Sequence, residues 1–163
     1  MYERYIGEDV GGGTGSGVVY PLLISPPDRP ERAAVRAILG MDRPSGAMTF
    51  AGDMPEGWMA RLMRGTLDRL VLGAADAARQ VSGGLPENAL GDRLALMVTC
   101  TGRLLLMGQR AVDEVAFARD ELGPSVSCLG FYSYGEIAPA ESSLGCELHN
   151  QTMTIVALAE TEG

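Results

Sequence analysis

Lysine is absent from the 163 residues, so all 13 basic side chains are arginines. Schiff-base catalysis and a phosphate-cradling Walker lysine are therefore chemistry this chain cannot supply. Histidine is almost as scarce, with His149 alone. A tetrahedral zinc site would need that residue together with all three cysteines. Cys100, Cys128 and Cys146 stand 28 and 18 residues apart, without the close pairing such sites show, so no metal is expected. Long apolar runs are missing too. No window nears the roughly 18 residues needed to cross a bilayer, and the chain reads as soluble. An odd number of thiols behind a start unlike a signal peptide points to the cytoplasm, with all three cysteines free.

What is present is a globular composition, 46% apolar and 21% charged, in a length that suits one hydrophobic core. The 21 acidic side chains leave a net charge of -8, which repels phosphate backbones and anionic lipid. Nucleic acid and membrane are not expected as partners.

Along the chain, residues 1–17 form a polar stub and a glycine-rich loop, GGGTGSG at 11–17, in which glycine and small hydroxyls favour no one backbone conformation. A phosphate-binding role for those glycines would need a strand before them and a helix after. Residues 18–163 are expected to form a single domain. From Val18 to Arg64, short apolar segments (VVYPLLIS, AAVRAILGM, AMTFAGDM, WMARLMR) separated by turn residues predict four strands in an antiparallel meander. In the last of these, alternation predicts Trp58, Ala60 and Leu62 on a core face and Arg61 outward. The period then changes. Leu67, Leu70, Val71, Ala74, Ala75 and Ala78 recur at helical spacing, with Thr66 placed as cap and Gly83 and Gly84 as stop. DRLALMVTC at 92–100 reads as a buried strand, and one helix at 104–122 is marked by Leu105, Val112, Val115, Ala116 and Leu122. Two long strands, 125–137 and 145–160, close the chain around the turn APAESSL. The expected fold is α+β, two layers, a mostly antiparallel sheet with two main helices in the order ββββ-α-β-α-ββ. The pair of strands flanking the second helix is expected to run parallel, with that helix on one sheet face.

Polar residues gather in three places. At Thr99-Cys100-Thr101-Gly102-Arg103 a buried strand runs into a helix, where free backbone N–H groups and the Arg103 guanidinium would suit an anion. Cys100 is either a nucleophile whose pKa the helix terminus lowers or a small thiol finishing a core strand. In GFYSYGEI at 130–137, two-residue alternation sets Tyr132, Tyr134 and Glu136 on one strand face, as a polar pocket wall or as an exposed ladder. In LHNQT at 148–152, His149 and Gln151 alternate with Asn150 and Thr152. A triad of Cys100, His149 and Glu136 or Asn150 can be written from these residues only if the fold assembles it.

These same segments, MVTCTGRLLLMGQR at 97–110, GFYSYGEIAP at 130–139 and LHNQTMTI at 148–155, resemble the C-terminal domain of the FIST family, a sensory module. Weaker likeness runs through YPLLI, AVRAILGMD and MTFAGDMPEGWMARLM. The resemblance implies an intracellular domain of signal transduction that binds a small ligand, an amino acid or small carboxylate, with no catalytic activity and no cofactor. Its characteristic positions fall on Cys100, Arg103, Gly135, Glu136, His149, Asn150 and Thr152. With Tyr132 and Tyr134, all of these except Gly135 form the expected ligand site. A FIST N-terminal domain is the expected neighbour, and a homodimer is a further candidate partner. The competing readings are a thiol-dependent hydrolase or transferase using Cys100 and His149, and a structural or dimerisation module.

Overall fold

A computed structural model of the chain describes residues 16–86, 91–139 and 145–160. The N-terminal stub, the glycine loop up to residue 15, and most of the turn APAESSL lie outside these. The fold is α+β and falls into two compact units: Met1–Gly65 with Ile137–Gln151, and Thr66–Glu136 with Thr152–Gly163.

In the first unit a short helical turn α1 (Ser16–Val19) precedes Pro21, so Val18 and Val19 belong to it rather than to a strand. Strands β1 (Leu22–Ser25), β2 (Ala34–Arg36) and β5 (Met59–Leu62) form an antiparallel sheet in the order β2-β1-β5, and β3 (Ile38–Asp42) pairs with β4 (Ala47–Phe50). Five strands therefore stand where the segment pattern predicts four. The apolar run AAVRAILGM divides at Ala37, whose N–H goes to the side chain of Asn150 instead of a neighbouring strand. The expected core face of β5 is also corrected. All four of its residues are exposed and Trp58 precedes the strand; β5 is a sheet edge that pairs with β1 alone among the described strands, and neither of its faces is covered. Alternation of side chains does not reveal such an edge.

The second unit is built on α2 (Leu67–Ser82), capped by Thr66, whose hydroxyl accepts from the Arg69 N–H, and ending at Gly83 as its spacing predicts. Strand β6 (Arg93–Cys100) is central in a three-stranded sheet, antiparallel to β10 (Met153–Ala159) and parallel to β7 (Val126–Ser133). The parallel pair is the one expected from a strand, a helical crossover and a strand. The crossover contains two helices, α3 (Thr101–Met107) and α4 (Ala111–Leu122), separated by a turn at Gly108, where φ is +53°. This break rotates the apolar stripe. Leu105, Val112 and Ala116, expected inside, are exposed, whereas Arg103, Met107, Ala111, Glu114, Ala118 and Leu122 are buried.

The long closing strands are each interrupted. Strand β7 ends at Ser133 and β8 (Glu136–Pro139) begins after a bend; β9 (Cys146–His149) and β10 are separated at Asn150–Thr152, where Gln151 takes φ +58°. At both breaks the chain passes from one compact unit to the other.

The core of the second unit joins Ala74 and Ala78 of α2, Ala118 and Leu122 of α4, and Ala95, Met97, Val126, Met153 and Ile155 of the sheet. Alanines in the helix seam let α2 and α4 approach closely. Helix α2 also lies against β10, while α4 leans on α2 and only grazes β7. Strand β7 is thus left half covered on its helix side. The opposite sheet face carries Leu129, Phe131, Val156 and Leu158, all exposed.

Candidate functional site

Strand parity turns Cys128, Gly130 and Tyr132 of β7 toward the helix layer, beside Met97 and Thr99 of β6, with which Gly130 and Tyr132 are in register. On α4, Val115 and Arg119 are four residues apart and share a helical stripe. Between them lies a cleft of about 290 Å³ lined by these residues, Met153 and the adjoining Leu129 and Phe131. That volume is near the low end of small-molecule sites, and the predominantly apolar wall with few polar groups is what such sites have in common. A Cβ on Gly130 would strike the Met97 carbonyl, so the strand carries no side chain at the middle of the cleft.

Two polar groups face this space and a third lies in its wall. Thr99 is part of the lining, but its hydroxyl is closed off behind the surface (the residue is 5% exposed) and has no hydrogen-bond partner among the described residues. Tyr132 has its pKa raised, first by burial and then by the Glu114 carboxylate, with Arg103 acting the other way, so its phenol remains a donor at neutral pH. Arg119 is exposed and makes no ion pair among the described residues.

The residues singled out by sequence are distributed differently. Arg103 is buried, 2.8 Å from Glu114 Oε2 through both Nε and Nη2, and Nη2 donates to the Leu70 carbonyl at 2.6 Å. It clamps α3, α4 and α2 together instead of presenting its guanidinium at the start of α3. Tyr134 lies in the bend after β7 and is 90% exposed, whereas Glu136 is 1% exposed, so the expected common face of Tyr132, Tyr134 and Glu136 is not formed. The bend at 134–135 breaks the alternation on which that expectation rests.

Glu136 instead accepts hydrogen bonds from Ser133 Oγ at 2.8 Å and Thr152 Oγ1 at 2.9 Å, while the Thr152 carbonyl accepts from the Cys100 N–H and the Thr101 hydroxyl donates to Ser133 O. Cys100, Glu136 and Thr152 are thereby brought together in one satisfied network at the ends of β6, β7 and β10. In the first unit, Asn150 is 1% exposed and acts as a substitute peptide group. Its Oδ1 accepts from Ala37 N–H, and its Nδ2 donates to the carbonyls of Ala51 and His149. The His149 ring donates from Nε2 to the Ala138 carbonyl at 3.2 Å.

Of the ligand-site positions expected from sequence, Tyr132 alone lines the cleft. The sequence pattern marks Thr99 only as part of a junction and does not mark Met97, Val115, Arg119, Cys128 or Met153 as contact residues. The available signal was strand parity across Cys128, Gly130 and Tyr132 together with the Val115/Arg119 stripe, but only the tertiary arrangement says that these two surfaces face each other.

Compared with known families, residues 1–139 match the FIST C domain. The chain belongs to the FIST C domain family. FIST C domains serve in sensing for signal transduction, and this one carries its GFYSYGEIAP segment inside the matched part and LHNQTMTI beyond it. No curated protein and no solved structure matches the chain. No described helix of the FIST C domain is long and apolar enough to cross a membrane. Among its described residues no group of His, Cys, Asp and Glu is arranged to hold a metal ion.

Proposed function

We propose that this FIST C domain is a cytoplasmic sensory module that holds a small carboxylate-bearing ligand, an amino acid or a small organic acid, in the cleft between α4 and β7. The observation that carries this reading is the Thr99 hydroxyl, closed off in the cleft wall and lacking a partner among the described residues. A buried polar group left unpaired costs about 1–3 kcal/mol, which a ligand oxygen or N–H recovers once it displaces the side chains that close over the hydroxyl. Tyr132 supplies a second donor, Arg119 a cation, and Met97, Met153 and Val115 an apolar floor and wall. The lining pairs no base with the Cys128 thiol, which favours binding over turnover.

Thermal denaturation with a panel of amino acids and short carboxylates tests the proposal. A ligand at 100 times its dissociation constant stabilises by about 2.7 kcal/mol, a shift of roughly 5–11 °C for a chain of this size. Thr99→Val removes the hydroxyl at nearly constant volume and is expected to reduce the shift, with Tyr132→Phe doing the same. A flat response across the panel, or equal shifts in parent and both variants, would reject the cleft as the site.

A further inference from the structure

We infer that the cleft discriminates by charge type, accepting a small carboxylic acid whose second polar group is a neutral oxygen and rejecting the zwitterionic amino acid of the same shape. This rests on the cleft being the ligand site. The lining residues contain one cation, Arg119, and no carboxylate. A carboxylate entering beside β7 therefore gains the Arg119 guanidinium, whose planar fork matches it. An ammonium on the adjacent carbon would leave water for a wall of methionine, valine, thiol and hydroxyl groups, with no anion to compensate. The nearest carboxylate that Tyr132 senses is Glu114. It is wholly buried, bonded to Arg103, and not part of the lining.

The polar groups that remain accept a neutral oxygen more readily than a charge. Thr99 holds, just behind the lining, a hydroxyl with no partner among the described residues, and Tyr132 presents a phenol held in its protonated form. Both can donate to a keto or hydroxyl oxygen. The apolar remainder of the wall suits a short aliphatic tail, and a volume of about 290 Å³ limits that tail to a few carbons.

A matched set decides this: α-ketoisocaproate, α-hydroxyisocaproate and leucine share one skeleton and differ only at the α substituent. Titration calorimetry on the full chain is expected to show the keto and hydroxy acids binding at least tenfold more tightly than leucine. Arg119→Met should cost the two acids tenfold or more while leaving isocaproamide, which lacks the charge, unchanged. Thr99→Val should narrow the gap between α-ketoisocaproate and plain isocaproate. Leucine binding as tightly as the keto acid, with both lost in Thr99→Val, overturns the charge discrimination and leaves the cleft as a ligand site. No binding by any of the compounds or by the wider panel overturns the cleft itself.

Discussion

Arg103 is where a structural and a ligand-binding role predict opposite outcomes. Its guanidinium makes two charge-assisted contacts of 2.8 Å to a fully buried Glu114 and one hydrogen bond of 2.6 Å to Leu70 O. Replacing Glu114 by alanine strips the counter-charge from a cation that is itself buried. Breaking such a pair from one side costs about 3–5 kcal/mol, which for a chain of this size lowers Tm by roughly 6–20 °C. Replacing both members by apolar side chains of similar volume, Arg103→Met with Glu114→Leu, removes the charges together and is expected to restore most of the loss. Urea and thermal unfolding of the parent, Glu114→Ala and the double variant measure the three states. The double variant is also expected to keep its affinity for α-ketoisocaproate within a few-fold, because neither residue lines the cleft. A Glu114→Ala protein within 1 kcal/mol of the parent, or a double variant no more stable than the single one, would refute this account of the pair.

Glu136→Ala strands the Thr152 hydroxyl, leaves Ser133 Oγ only the Gly135 carbonyl, and is expected to destabilise by about 1–3 kcal/mol in urea unfolding, with affinity for the acid unchanged. Asn150→Ala leaves the Ala37 N–H and Ala51 carbonyl without the surrogate peptide group, again costing about 1–3 kcal/mol; Asn150→Asp keeps the acceptor, loses the donor and buries a charge, and should be no better. Tyr132 is expected to impose an alkaline limit. Because its native pKa is raised, the folded state retains a proton that the unfolded chain releases near pH 10, so this contribution is intact below that pH and fades as pH rises through the native value. The urea midpoint of Tyr132→Phe should consequently fall less steeply above about pH 10 than that of the parent. Gly130→Ala drives a Cβ into the Met97 carbonyl and should shift β7, lowering stability and acid binding together; an unchanged affinity would show that the close approach does not shape the cleft.

Local signals were sufficient where one residue's chemistry decides one backbone feature. Thr66 caps α2, Gly83 ends it, and the apolar run at 92–100 is a central strand. The same signals failed wherever a long-range partner intervened. Nothing in AAVRAILGM announces a break at Ala37, since the group that claims its N–H is Asn150, far along the chain. HNQT looks functional because four consecutive polar side chains in an apolar strand are costly unless satisfied, and Glu136 of GEI because a carboxylate there carries the same cost. All are satisfied within the fold: Glu136 by Ser133 and Thr152, His149 by the Ala138 carbonyl, Asn150 by Ala37 and Ala51, and Gln151 by the Val18 carbonyl.

By itself the sequence determined the class of fold, the family, the exclusion of lysine chemistry and the existence of the helix 67–82 and the strand 93–100. Each of these depends on residue inventory, or on periodicity within about a dozen neighbours. The tertiary structure alone decided that Arg103 would be spent on Glu114 and that Glu136 and Asn150 would close breaks in strands. It also decided that Thr99, Tyr132 and Arg119 would meet around one cleft. That cleft follows from how near α4 can approach α2 over Ala74, Ala78 and Ala118, and hence from how much of β7 is left uncovered. A distance between two helices is set by packing across the whole layer, and no stretch of sequence contains it.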